Sequence, residues 1–151
     1  MIVYVDSSLL ASALLPAAAA SKAVVEELLA GGDVLVTGFW TRIEVSGAIV
    51  RAGRLLPARR RALTTKRLLA ALDGELDVGG RVALVRASQA EVDDGALAIV
   101  RSEGIRAMDA WHLATAAIVL PLLGPIGDGH LFATADASQA AVAARMGFRV
   151  L

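Results

Sequence analysis

Met1-Ile2-Val3-Tyr4-Val5-Asp6-Ser7-Ser8-Leu9-Leu10 begins as a short apolar run, rich in β-branched residues, and meets an acid at position 6. β-Branched side chains fit a pleated, buried surface, so the run reads as a strand that ends at Asp6. It is apolar throughout rather than alternating. That predicts a central strand of a parallel sheet, covered on both faces. Asp6 then falls at the carboxyl end of the strand, where open α/β sheets bind their ligands. A carboxylate at such a junction can equally cap the helix that Ser7 and Ser8 begin. The rest of the chain has to decide.

The chain of 151 residues has the size of one domain with a real core. It has no cysteine, which excludes a disulfide scaffold, a thiolate metal site and a Cys nucleophile. This usage is compatible with a cytoplasmic location. The first residues lack a basic segment and do not read as a signal peptide. The longest largely apolar run, Leu113 to Gly124, is short for a membrane span and contains Pro121, so no membrane is expected. Hydrophobic residues make up 56% but aromatics only 4%, so the core must be mostly Ala, Leu and Val. Such a chain should be helix-rich, with apolar surface left over for a partner. The net charge is zero and gives no gross attraction to nucleic acid.

Outward from the first strand, Ser8 to Leu15 predicts a short helix ended by Pro16. Ala17 to Ala30 predicts a second helix, with Val24, Val25, Leu28 and Leu29 on its apolar face, and Gly31-Gly32 as its stop. Val34 to Thr37 is the second strand. A helix from Trp40 to Ala52 follows, with Ile43, Gly47 and Val50 on a packed face and Glu44 one turn in. Residues 51–67 carry seven of the fifteen basic residues and no acid. Leu55-Leu56-Pro57 turns this stretch into a helix from Ala58 to Leu72. Asp73 to Asp77 reads as an acidic loop, and Arg81 to Val85 as a third strand. Ser88 with Glu91 forms a capping box for the next helix. Ala110 to Leu120 is a very apolar helix headed by Asp109, with His112 on the same face. Pro121 to Gly129 reads as a loop holding Asp128. Leu131 to Thr134 is a fourth strand, Ala137 to Met146 an Ala-rich helix, and Phe148 to Leu151 a final strand. Alternation of strand and helix throughout predicts an α/β domain with a mostly parallel sheet of four or five strands.

Asp6, Asp136 and Glu44 come just after strands, and Asp109 heads a buried helix. In a parallel sheet such positions meet at one edge. Carboxylates crowded in a partly buried cleft repel one another, and a divalent cation relieves that repulsion. Oxygen donors without cysteine suit Mg²⁺ or Mn²⁺. The hydroxyls of Ser7 and Thr134 flank two of the acids and could support them. Motifs for a P-loop, a dinucleotide-binding turn and a nucleophile elbow are all absent.

Four stretches together resemble the PIN-domain ribonucleases, and most of all the VapC-type toxins of bacterial toxin–antitoxin pairs. They are Val3-Tyr4-Val5-Asp6-Ser7-Ser8, Thr41-Arg42-Ile43-Glu44-Val45, Met108-Asp109-Ala110-Trp111-His112-Leu113-Ala114-Thr115-Ala116, and Phe132-Ala133-Thr134-Ala135-Asp136. Each is weak alone; their order, over essentially the whole chain, carries the likeness. The resemblance implies a three-layer α/β/α fold. It also implies Mg²⁺ or Mn²⁺ held by Asp6, Glu44, Asp109 and Asp136, supported by Thr134 and Ser7. Asp128, in a Pro/Gly-rich loop, is a candidate auxiliary acid. The implied activity is hydrolysis of RNA phosphodiesters by a homodimeric toxin inhibited by a cognate antitoxin. Arg42, Arg51, Arg54, Arg59 and Arg60 are the candidate RNA contacts. Two alternatives stay open on the residues alone: a metal-dependent DNA nuclease or phosphatase, and a non-catalytic interaction module.

Overall fold

The computed structural model describes residues 1–15, 19–124 and 130–151. Pro16, Ala17 and the stretch containing Asp128 lie outside them. The described elements are β1 (Ile2–Val5), α1 (Ser7–Leu14), α2 (Ala19–Ala30), β2 (Val34–Gly38), α3 (Trp40–Arg54), α4 (Ala58–Leu76), β3 (Val82–Val85), α5 (Gln89–Glu103), α6 (Ala107–Leu123), β4 (Leu131–Ala133), α7 (Ala137–Arg145) and β5 (Arg149–Val150).

The strands form one sheet in the order β3-β2-β1-β4-β5, and every pairing is parallel. β1 is therefore central, as its unbroken apolar run predicts. Alternate side chains divide the core in two. Val3, Val5, Leu35, Leu131 and Ala133 face one layer, against Leu9 and Leu10 of α1, Val45 and Ile49 of α3, and Leu72 and Leu76 of α4. Tyr4, Val36 and Phe132 face the other, against Leu113, Ala116 and Leu120 of α6 and Val142 of α7. The result is a three-layer α/β/α domain.

Several boundaries differ from the sequence reading for packing reasons. α4 runs on through the supposed acidic loop, because Leu76 follows Leu72 by one turn and both are buried in the core. α6 begins at Ala107 and continues through Pro121 to Leu123; burial of Val119 and Leu120 holds that turn despite the missing donor. The inward face of α3 is Thr41, Val45, Ile49 and Gly53, not Ile43, Gly47 and Val50. Ile43 and Val50 are exposed. Both stripes repeat at helical spacing, so periodicity could not choose between them. On α2, Val25 and Leu28 point inward while Val24 is exposed, and the Leu29 side chain lies outside the described residues. Ser88 precedes α5 as expected, but its side chain makes no capping hydrogen bond. Gly104 ends α5 at φ +69°, a left-handed conformation that favours glycine. Among the described residues no helix is long and apolar enough to cross a membrane.

Candidate acidic site at the carboxyl edge of the sheet

The all-parallel sheet puts every strand's carboxyl end on one edge. β1 delivers Asp6 there, and the Asp6 N–H donates to the Ala133 carbonyl at 2.8 Å, extending the β1–β4 pairing by one residue. Asp6 caps α1, accepting from the Ser8 N–H at 2.9 Å. It is nevertheless only 2% exposed, far more buried than capping requires. The capping role weighed from the sequence thus falls to a carboxylate that also stands buried at the carboxyl edge of the sheet. Thr134 Oγ1 lies 3.4 Å from its Oδ2, and Gln139 Nε2 donates to its Oδ1 at 3.3 Å.

Glu44 reaches Asp6 through a histidine. His112 Nε2 is 2.6 Å from Glu44 Oε2 and 3.7 Å from Asp6 Oδ1. Behind the ring, His112 Nδ1 is 2.9 Å from the Tyr4 hydroxyl, which accepts from the Gly38 N–H at 3.0 Å. The Glu44 carboxylate can only accept, so the Nε2 facing it carries a ring proton, and in the neutral ring Nδ1 then accepts from the phenol. Burial pushes the Tyr4 hydroxyl well above its ordinary pKa, and the nearby Asp6 and Glu44 charges add to the rise. The phenol therefore stays neutral and keeps its proton for the ring. The Glu44–His112–Tyr4–Gly38 chain links β1, β2, α3 and α6.

Asp109 and Asp136 form a second pair, joined by Arg106. Its Nε donates to Asp109 Oδ2 at 2.8 Å, and a terminal nitrogen donates to Asp136 Oδ2 at 2.5 Å. Asp109 lies in the first turn of α6 rather than capping it, since α6 starts two residues earlier with Arg106 in the cap position. The helix N-terminus still favours its ionised form there. Against that, burial raises the Asp109 carboxyl above its ordinary range. Arg106 lowers it, and the charges of Asp136 and Asp6 raise it. Asp136 caps α7, accepting from the N–H groups of Ser138 at 2.8 Å and Gln139 at 3.0 Å.

Gln139 stitches the two pairs together. It is fully buried and donates from one Nε2 to Asp6 Oδ1 and to the Asp109 carbonyl at 3.2 Å. Its Oε1 accepts from Thr134 at 2.6 Å. The sequence reading missed this residue, although it stands three positions after Asp136 where a capping-box Gln would stand. The hydroxyl assignment also shifts by one. Ser8 Oγ meets Thr134 Oγ1 at 3.2 Å and accepts from the Ala135 N–H at 3.1 Å. Ser7 opens α1 without a described side-chain hydrogen bond.

The acids thus share an edge, but they do not pool into one cluster. Among the described residues no group of three His, Cys, Asp or Glu side chains stands ready to hold a metal ion. Asp128 lies outside the described residues. Of the candidate RNA-contact arginines, Arg42 is tied to Asp73 at 3.0 Å and Asp77 at 2.6 Å, which joins the start of α3 to the end of α4. Arg51, Arg54, Arg59 and Arg60 are exposed. Arg51 and Arg54 stand about 10 and 15 Å along α3 from Glu44. Arg54 also lines a groove between α3 and α4 with Val50, Arg61, Thr65, Lys66 and Leu69. A separate pocket opens beside the acids, lined by Ile105, Arg106, Asp109, Asp136, Ser138 and Arg145.

No protein-family model matches the sequence, and neither does any curated protein. Solved structures do match the fold. The structure of FitAcB from Neisseria gonorrhoeae aligns with a TM-score of 0.61 at 19% identity, covering 100% of this chain and 96% of that one. The structure of VapBC-1 from nontypeable Haemophilus influenzae aligns with a TM-score of 0.57 at 14% identity, covering 100% of this chain and 97% of that one. At such identities the likeness shows the fold, and the fold is PIN-like.

Proposed function

We propose that this chain is a Mg²⁺- or Mn²⁺-dependent endoribonuclease and the toxin of a toxin–antitoxin pair. One observation carries the reading: acids from four separate stretches share one sheet edge, held there as two neighbouring pairs. The donors are all oxygens, and burial with mutual repulsion already raises the Asp109 carboxyl. That donor set fits a hard divalent cation. Asp6, Glu44, Asp109 and Asp136 would hold it. When bound, such an ion supplies an activated water and neutralises charge at phosphorus.

The chain's own residues do the positioning. Thr134 and Gln139 fix Asp6, and His112 fixes Glu44 with its Nε2 proton. Arg106 is 73% exposed and can turn from the carboxylates toward a substrate phosphate. Water adds to phosphorus, and the bond to the 3′-oxygen breaks. The exposed arginines of α3 and α4 would hold flanking phosphates. The likeness of fold to VapBC-1 and FitAcB supports an antitoxin partner. The α3–α4 groove, with Val50 and the exposed Leu55 and Leu63 nearby, suits it in an apolar but basic setting. A homodimer belongs to the same reading.

Metal titration of RNA cleavage by the wild type and by Asp6→Asn tests this. Asparagine keeps the α1 cap but loses the charge. The expected result is metal-dependent cleavage that falls at least about a hundredfold in the variant. Metal-independent cleavage, or a variant as active as the wild type, would sink the assignment. A panel of single-stranded DNA and small phosphate esters separates the DNA nuclease and phosphatase alternatives. The pairing of all four acids with His112 or Arg106 favours the other alternative, a non-catalytic module. Such a module would be inert across the whole panel.

A further inference from the structure

The geometry points to a nucleobase-stacking platform on Trp40, seated against Trp111 at the rim of the acidic site. This inference rests on the RNA-cleaving reading and adds to it where a base of the substrate sits.

The chain has only two tryptophans, three phenylalanines and one tyrosine. Tyr4 stacks on Phe132 in the core at 5.4 Å between ring centroids, and the partly buried Phe148 meets Phe132 at a tilt at 5.8 Å. The remaining three aromatics gather at the carboxyl edge of the sheet. Phe39 and Trp40 follow β2 directly, and Trp111 lies between Asp109 and His112 in the sequence. Trp111 meets the His112 ring edge-on at 5.5 Å, and Trp40 meets Trp111 edge-on at 6.4 Å. The series thus runs from the histidine that holds Glu44 outward to solvent.

Trp111 is a fixed support. A Cβ built on Gly38 would stand 2.6 Å from its ring, so the glycine lets the indole rest on the β2 backbone. The indole N–H has no hydrogen-bond partner among the described residues, so packing, not polarity, seats the ring. Trp40 is 40% exposed, in a chain whose other large rings are mostly covered. An exposed indole on a rigid aromatic base has little conformational freedom to lose when a flat ligand stacks on it.

Positive charge lies over the ring of Phe39, the residue before Trp40. Val85 pairs with Gly38 at the end of β3, and Arg86 follows it. The Arg86 guanidinium sits 4.1 Å above the Phe39 ring. A stacking ring with a neighbouring cation suits one nucleotide, its base on the indole and its phosphate toward the guanidinium. Continuity with the four acids commits the platform to the substrate strand. A nucleotide adjoining the scissile phosphate lies within its reach.

The experiment is a base-by-base scan. A single abasic residue is moved along a short single-stranded RNA. Its effect is measured as kcat/KM on the wild type, Trp40→Ala and Trp40→Phe. Binding is followed in parallel by fluorescence anisotropy on the Asp6→Asn background in Mg²⁺. At one position next to the cleavage site, removing the base should weaken the wild type roughly tenfold. Trp40→Ala should suffer the same loss on intact RNA and show no further abasic penalty, while Trp40→Phe keeps most of it. A merely structural role would not abolish the penalty at one nucleotide. If the wild type cleaves RNA but the penalty is unchanged in Trp40→Ala, the platform is overturned and the nuclease reading stands. If the wild type neither binds nor cleaves RNA, the nuclease reading fails and the platform with it. If Trp40→Ala changes the oligomeric state by light scattering and leaves base dependence intact, the ring serves a protein interface and the proposal fails.

Discussion

The two pairs of acids are held in opposite ways. Asp6 and Glu44 meet across His112, a side chain 1% exposed and anchored from behind by Tyr4 and Gly38. Asp109 and Asp136 meet across Arg106, a side chain 73% exposed and attached to nothing else described. The first pair is joined through the core: the linking ring and Asp6 are buried, while Glu44 keeps 28% exposure. Its partner cannot leave without stranding buried polar groups, which costs far more than a surface hydrogen bond gains. The second pair is closed by a clasp that water can replace. One half of the site is thus rigid and the other is free to open toward a ligand.

The largest expected effect, beyond the loss of cleavage in Asp6→Asn, probes the rigid half. His112→Ala should destabilise the fold by about 3 kcal/mol, combining a cavity with unpaired Tyr4 and Glu44 groups. That corresponds to roughly 6–12 °C in Tm, measurable by calorimetry. A shift below about 2 °C would show that His112 is not structural.

Gly38→Ala strikes the same half more gently. The new methyl would meet the Trp111 ring and the Tyr4 oxygen, both at 2.6 Å. Overpacking of this kind costs about 1–3 kcal/mol. Trp fluorescence should shift as the indole is displaced. An unchanged spectrum with unchanged stability would break the claim that Trp111 is seated on this glycine.

Removing the clasp should be nearly silent for stability. Arg106→Gln is expected to lower Tm by only about 1–2 °C at neutral pH while moving the titration of Asp109. Burial already raises that carboxyl, and Arg106 is the main group lowering it. Without the arginine its pKa should climb further, seen by carboxyl carbon NMR on the metal-free protein. A carboxyl raised on folding binds its proton more tightly in the native state. Its contribution to stability is full below the unfolded pKa and is lost as pH rises through the folded one. The variant should extend that decline to higher pH. A large drop in Tm would erase the contrast between the two halves.

The parts of this site legible in the sequence share a local cause. A strand ending in an acid is visible from its neighbours, so Asp6 and Asp136 could be placed at the sheet edge without coordinates. The buried helix carrying Asp109 and His112 was equally plain from its unbroken apolar run. Residues whose role depends on distant partners were not legible. Gln139 looked like one more polar residue in an Ala-rich helix, yet it bridges Asp6 and Asp109. Arg106 stands ahead of the predicted Ala110–Leu120 helix, and Arg42 among the candidate RNA contacts. Ser8, rather than Ser7, meets Thr134 because one helical step rotates a side chain by about 100°.

By itself, then, the sequence determined the alternation of elements, the central place of β1 and the edge on which its acids stand. Those follow from hydrophobic periodicity and from the shared direction of parallel strands. Only the tertiary structure decided which face of α3 turns inward, how far α4 extends, and that the acids divide into a pair joined by a buried ring and a pair joined by an exposed clasp. These outcomes depend on side chains brought together from 30 to 133 residues apart, as between Arg106 and Asp136 or Asp6 and Gln139. No local pattern records such distances, because they arise when the layers close on the sheet.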